Sequence, residues 1–236
     1  MTCAAYARRT TNARETAGRL TPEGNTVMRL QVAIDLLTTE AALRLAGQVA
    51  PYVDVIELGT PLIKSEGMSV ITAVKNAHPD KTVFADLKTA DAGELEARLA
   101  FDAGADLVTV LGTADDSTIN GAVVAARAAS KGVVVDLINV TNKATRAKEA
   151  HALGAVFVEF HAGLDEQALP GYSLQALLDA GSSSGVPFSV AGGVSTATIA
   201  AVQDSGARTA VAGSAIYSAN DPAAAAAALR ALISRP

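Results

Sequence analysis

The chain has 236 residues, 50% of them hydrophobic and 4% aromatic, with no tryptophan and a formal net charge of −5. That length suits one large α/β domain, and an acidic balance with no basic stripe excludes an extended nucleic-acid backbone as partner. The single cysteine, Cys3, excludes an internal disulfide, and no apolar run reaches the ~18 residues of a membrane span, so a soluble cytoplasmic protein is expected.

Residues 1–27 carry Thr, Arg, Asn and Gly without periodicity, and a disordered N-terminal extension is expected there. Arg8 and Arg9 are followed by no apolar segment of the kind an export signal needs. Met28, directly before the first strand pattern, is the expected start of the functional unit, a catalytic barrel domain over 28–236.

From Arg29 onward, short β-branched runs alternate with helical patterns. Strands are expected at Leu30–Leu36, Val53–Leu58, Thr82–Leu87, Asp106–Leu111, Gly132–Ile138, Ala155–His161, Val186–Ala191 and Thr209–Ala212. Helices are expected near Thr39–Val49, Gly67–Ala77, Gly93–Ala103, Ser117–Ala129, Asn142–Leu153, Leu174–Ala180, Thr196–Asp204 and Pro222–Ile233. Units of about 25 residues fit a complete (β/α)8 TIM barrel. Glycines at Gly104, Gly154 and Gly206 mark helix ends before strands, about two units apart. A doubly wound open sheet is the runner-up, but it would place a Gly-rich turn after the first strand, where this chain has Asp35-Leu36-Leu37-Thr38.

In a barrel of this kind, chemistry comes from inward side chains at the C-terminal ends of strands. Alternation separates Val83, Ala85 and Leu87, suited to the helix layer, from Phe84, Asp86 and Lys88 over the mouth. The same logic turns Asp35, Glu57 and His161 inward, with Asp91 just beyond. So many ionisable groups on one rim cost desolvation with little net return as salt bridges, which favours a functional site. Glu57 and Asp86 supply hard oxygens suited to Mg2+. Lys88, between Asp86 and Asp91, stays protonated as an electrostatic stabiliser or proton donor, and His161 exchanges a proton near neutral pH. Asp136 and Glu159 also alternate inward, either as deeper polar core groups or as participants. After the seventh and eighth strands, Gly192, Gly193, Gly213 and Ser214 form loops whose backbone N–H groups suit a phosphate.

With these residues in place the chain resembles the orotidine-5′-phosphate decarboxylase superfamily and, within it, the 3-hexulose-6-phosphate synthase family. The marks are Leu30-Gln31-Val32-Ala33-Ile34-Asp35, Glu57-Leu58-Gly59-Thr60-Pro61, Asp86-Leu87-Lys88 with Asp91-Ala92-Gly93, and His161-Ala162-Gly163-Leu164-Asp165. The resemblance implies an aldehyde-lyase. Formaldehyde adds reversibly to D-ribulose 5-phosphate through a 1,2-enediolate, with Mg2+ (or Mn2+) held by Glu57 and Asp86. It also implies catalytic roles for Asp35, Lys88, Asp91 and His161, and a homodimer with shared sites in which Asp91 reaches the neighbouring one. A related 3-keto-L-gulonate-6-phosphate decarboxylase would carry arginine where this chain has Gly163 and Leu164. A non-catalytic sugar-phosphate-binding barrel would have no need of the intact charged set. Ser214 stands where several superfamily members have arginine, which leaves phosphate more to the backbone.

Overall fold

The computed structural model describes residues 27–233, so the expected extension over 1–27 lies outside the described residues except for Val27. Eight parallel strands close on themselves in sequence order, with the first paired to the last. The strands are β1 (Arg29–Ile34), β2 (Val55–Leu58), β3 (Thr82–Thr89), β4 (Leu107–Leu111), β5 (Gly132–Asp136), β6 (Phe157–His161), β7 (Phe188–Ala191) and β8 (Thr209–Ala212). The main helices are α1 (Thr39–Val49), α2 (Thr60–Glu66), α3 (Ser69–Ala77), α4 (Gly93–Asp102), α5 (Asp116–Ala129) and α6 (Lys143–Leu153). They continue with α7 (Leu164–Gln167), α8 (Leu174–Ser184), α9 (Ile199–Asp204), α10 (Ser214–Tyr217) and α11 (Pro222–Leu232). The barrel is as expected; the open sheet is excluded by its closure.

Differences from the expected elements have local causes. Helix α2 fills a stretch expected as loop, because Pro61 pre-sets the backbone angle of its first turn. Gly67, at φ 69°, then ends it, and the next helix starts at Ser69 rather than Gly67. The short α7 and α10 offer too few turns to show a helical period. Along β3 the pairing with β4 jumps from Ala85↔Val108 to Thr89↔Val110, four residues against two. Lys88, at φ 48°, absorbs that bulge.

Two apolar layers follow from strand alternation. Leu30, Val32, Ile34, Val83, Ala85, Val158 and Phe160 point outward and are buried beneath the helices. Inside the barrel a small plug of Val55, Phe84, Leu107, Val134 and Phe157 fills the lower half. Val156, just before the regular start of β6, also packs against that plug.

Carboxylates at the lower rim tie the strands together. Asp54 Oδ2 accepts from the Leu30 amide at 2.8 Å and pairs with Arg230. Asp106 accepts from the Val83 amide at 2.9 Å, from Lys75 at 2.7 Å and from Lys131 at 2.5 Å. Burial alone would raise the Asp106 carboxyl, but the two lysines hold it below its usual 3.8. Its contribution is therefore fully present above that value and fades as the pH falls through the depressed one. Asp106→Ala should lower stability at pH 7 by about 2 kcal/mol in urea unfolding. Catalysis at the opposite face should be unchanged, and a stability change near zero would remove this role.

Candidate active site at the C-terminal mouth of the barrel

The site is built one strand step above the plug. Two residues beyond each plug member comes a polar side chain: Glu57 after Val55, Asp86 after Phe84, Thr109 after Leu107, Asp136 after Val134 and Glu159 after Phe157. Period-two alternation makes them a polar layer on an apolar floor. All five are at most 5% exposed. His161 stands one step higher on β6 and is partly exposed.

Lys88 knits the layer together. Its Nζ donates to Asp86 Oδ2 and to Asp136 Oδ2, each at 2.8 Å. The β3 bulge makes this reach feasible, and the Lys88 amide is held by Thr109 Oγ1 at 2.8 Å. Asp86 is further fixed by Thr109 Oγ1 on Oδ1 at 2.8 Å and by Thr60 Oγ1 on Oδ2 at 2.9 Å. Asp136 accepts from His161 Nδ1 at 2.9 Å and from the Ile138 amide at 2.8 Å. Glu57 Oε2 accepts from Gln31 Nε2 at 2.7 Å, while its Oε1 has no hydrogen bond among the described residues. Glu159 accepts from Ser189 at 3.1 Å and lies 3.8 Å from His161 Nδ1.

These neighbours set the charges. Burial would lower the Lys88 pKa, but Asp86 and Asp136 outweigh it and keep the ammonium charged. Burial would raise Asp136, yet His161 and Lys88 hold it well below the usual carboxylate range. An ionised Asp136 can only accept, so Nδ1 of His161 carries the hydrogen and Nε2 is the free base. Burial opposes the imidazolium, and Asp136 more than compensates, raising His161 above 6.5. Glu57 is pushed well up by burial and by Glu159 and Asp86. Glu159 is pushed up to about 7 by burial and Asp136. Burial and Asp86 also raise Asp35.

Asp35, Glu57, Asp86, Lys88 and His161 thus share one mouth. Asp35 lies over Gly59, where an added Cβ would fall 2.0 Å from Asp35 Oδ1, so only glycine fits. Asp91 is not in this cluster; it is exposed, and its Oδ1 accepts from the Ala92 amide. Asp136 and Glu159 belong to the site rather than to a separate polar core. The sequence alone does not single out Gln31, Thr60 or Thr109 as members of the site. Alternation from Asp35 and from Leu107 does point Gln31 and Thr109 inward, whereas Thr60 lies on the unexpected α2.

The glycine loops border the same ends. Gly192 and Gly193 turn at φ 114° and 72°, and a Cβ on Gly192 would lie 2.7 Å from the Ala162 carbonyl, beside His161. Tyr172 Oη donates to Gly192 O at 3.0 Å and Thr198 Oγ1 to Gly193 O at 2.8 Å. Gly213 approaches Ala33, two residues before Asp35. The Gly192, Gly193 and Gly213 amides make no backbone hydrogen bond among the described residues. A cleft of about 660 Å³ opens beside the mouth, lined in part by Lys143, Glu166, Tyr172 and Ser173. It does not include the carboxylate layer.

In an NMR titration His161 should protonate above the ordinary 6.5, because Asp136 stabilises the imidazolium. Asp136→Asn removes that charge but not the burial, so His161 should then titrate below its wild-type value. An unchanged pKa in the variant would contradict the observed pairing.

Comparison with known proteins accords with this geometry. The orotidine 5′-phosphate decarboxylase / HUMPS family matches residues 28–229. The 3-hexulose-6-phosphate synthase of Mycobacterium gastri is 74% identical over 206 residues, 87% of this chain and 100% of that one. Its counterpart from Methylomonas aminofaciens is 48% identical over 198 residues, 84% and 95% of the two chains. A crystal structure of a 3-hexulose-6-phosphate synthase, 74% identical, superposes with a TM-score of 0.87 over 88% of this chain and 100% of that one. The chain belongs to the orotidine 5′-phosphate decarboxylase / HUMPS family and, within it, to the 3-hexulose-6-phosphate synthases.

Proposed function

We propose that this chain is a 3-hexulose-6-phosphate synthase, a lyase that joins formaldehyde reversibly to C1 of D-ribulose 5-phosphate. The observation that carries this is the row Asp86–Lys88–Asp136–His161 at the mouth, beside an open oxygen of Glu57, in a chain 74% identical to a relative of that name.

The residues fit a hard divalent cation. Asp35, Glu57, Asp86, Asp136 and Glu159 face Lys88 and His161, and burial together with this excess of negative charge pushes Glu57 well up. Carboxylate oxygens are the donors that Mg2+ or Mn2+ prefers. Asp136, Glu159 and His161 bring ligand atoms within 4.8 Å of one another, but Asp136 Oδ2 there already accepts from both Lys88 and His161. Glu57, with its open Oε1, is the better-placed ligand, and Asp86, although Thr109, Lys88 and Thr60 donate to its oxygens, joins it as the family resemblance implies. When bound, the cation supplies Lewis-acid stabilisation of negative charge on the substrate's oxygens.

The chain's own groups do the rest. His161 takes the C1 proton at Nε2, leaving the 1,2-enediolate, whose negative charge the Lys88 ammonium offsets. The C1 electron pair then forms the new bond to the formaldehyde carbon. The former carbonyl oxygen becomes an alkoxide and recovers the proton from His161. Lys88, kept charged by two carboxylates, is unsuited to Schiff-base chemistry. Asp35 is placed to hold a substrate hydroxyl. The amides of Gly192, Gly193, Gly213 and Ser214 hold the phosphate. Asp91 serves a neighbouring subunit in a homodimer; exposed Leu95, Leu99 and Val124 on the adjoining α4 and α5 support that face as the contact.

With ribulose 5-phosphate, formaldehyde and Mg2+, the protein should consume formaldehyde, and EDTA should stop it. Asp86→Ala should cut turnover by on the order of 10³-fold while the circular dichroism spectrum stays that of a folded barrel. Faster decarboxylation of 3-keto-L-gulonate 6-phosphate in a parallel assay would shift the assignment to the related decarboxylase.

A further inference from the structure

Gln31 is a member of the mouth to which the chemistry above gives no task. Its side chain is completely buried, at 0% exposure. Half of it is engaged, since Nε2 donates to Glu57 Oε2 at 2.7 Å. The other half is idle. Oε1 is the one buried side-chain polar atom among the described residues with no hydrogen-bond partner. Flipping the amide offers no relief, because two oxygens would then face each other across the Glu57 contact and the NH2 would be stranded. A leucine of similar size would avoid the penalty of that unpaired acceptor, though it would leave Glu57 Oε2 without its donor.

A polar group this costly to bury is explained if binding completes its hydrogen bonds. Glu57 has no other hydrogen-bond donor among the described residues, so the orientation of its carboxylate depends on this one amide. Mg2+ and Mn2+ keep part of their hydration shell when held by few carboxylates. A cation-bound water has two O–H donors and suits a buried carbonyl oxygen.

We propose that Gln31 is a positioning residue for the divalent cation, its NH2 orienting Glu57 and its carbonyl oxygen accepting from a water that the cation carries. This rests on Glu57 and Asp86 being the ligands. Groups outside a metal's immediate ligands typically change affinity by about 10–100-fold when lost.

Mn2+ binding to the full chain, followed by the electron paramagnetic resonance signal of the free ion, tests this alongside thermal unfolding in EDTA. The variants are Gln31→Leu, Gln31→Met, Glu57→Gln and the Gln31→Leu/Glu57→Gln double. Both single Gln31 variants should stay folded in EDTA, loss of the unpaired acceptor offsetting part of the cost of leaving Glu57 Oε2 without its donor, yet bind Mn2+ about 10–100-fold more weakly. In the Glu57→Gln background the added loss should shrink to roughly a few-fold, as expected of residues acting through one another. Mn2+ binding lost only in proportion to the fraction unfolded, as read from the EDTA melt, would make Gln31 merely structural and overturn the proposal. Unchanged Mn2+ affinity in both variants would overturn it while leaving the ligands in place. Mn2+ binding indifferent to Glu57→Gln would overturn the ligand assignment and this inference together.

Discussion

The mouth of this barrel depends on one ammonium group shared by two buried carboxylates. Asp86 and Asp136 come from β3 and β5, with β4 between them, and Lys88 spans the gap at 2.8 Å to each. Without that cation, two nearly inaccessible negative charges would face each other in a medium far less polarisable than water. With it, Asp136 stays ionised, and an ionised Asp136 in turn dictates which nitrogen of His161 carries its hydrogen. The charge of Asp136, the tautomer of His161 and the fixing of Asp86 are therefore coupled through a single side chain.

The arrangement also explains why the polar layer rests on an apolar floor. Val55, Phe84, Leu107, Val134 and Phe157 exclude water from below, which strengthens every charge–charge term above them. The same exclusion pushes Glu57 and Glu159 upward. Local stability is sacrificed at the mouth so that charges are held ready for a substrate, as expected where preorganised electrostatics carry the chemistry.

Much of this is legible in the sequence, for a definite reason. Strands buried on both faces still alternate, so Val83-Phe84-Ala85-Asp86 alone aims Asp86 inward, and the same holds for Glu57 and His161. What alternation cannot convey is curvature. The Lys88–Asp136 contact skips a strand and depends on a bulge with a left-handed residue at its centre, and no local pattern signals either. Thr60 is hidden for another reason: it opens a seven-residue helix too short to show a period. Gln31 and Thr109 lie on the expected face but carry no charge, so nothing marks them apart from ordinary polar filler. Asp91 shows the opposite limit, since within one chain it touches none of the mouth residues that its spacing suggests.

The lower rim has a consequence for how such barrels diversify. Asp54 and Asp106 tether the amides of Leu30 and Val83, near the starts of β1 and β3, through contacts made at the end of the molecule remote from the mouth. Closure of the cylinder is thereby insulated from whatever residues crown it. Exchanges among crown residues can redirect reactivity without first having to solve folding anew, which gives a lineage built on this scaffold freedom to change its chemistry in single steps.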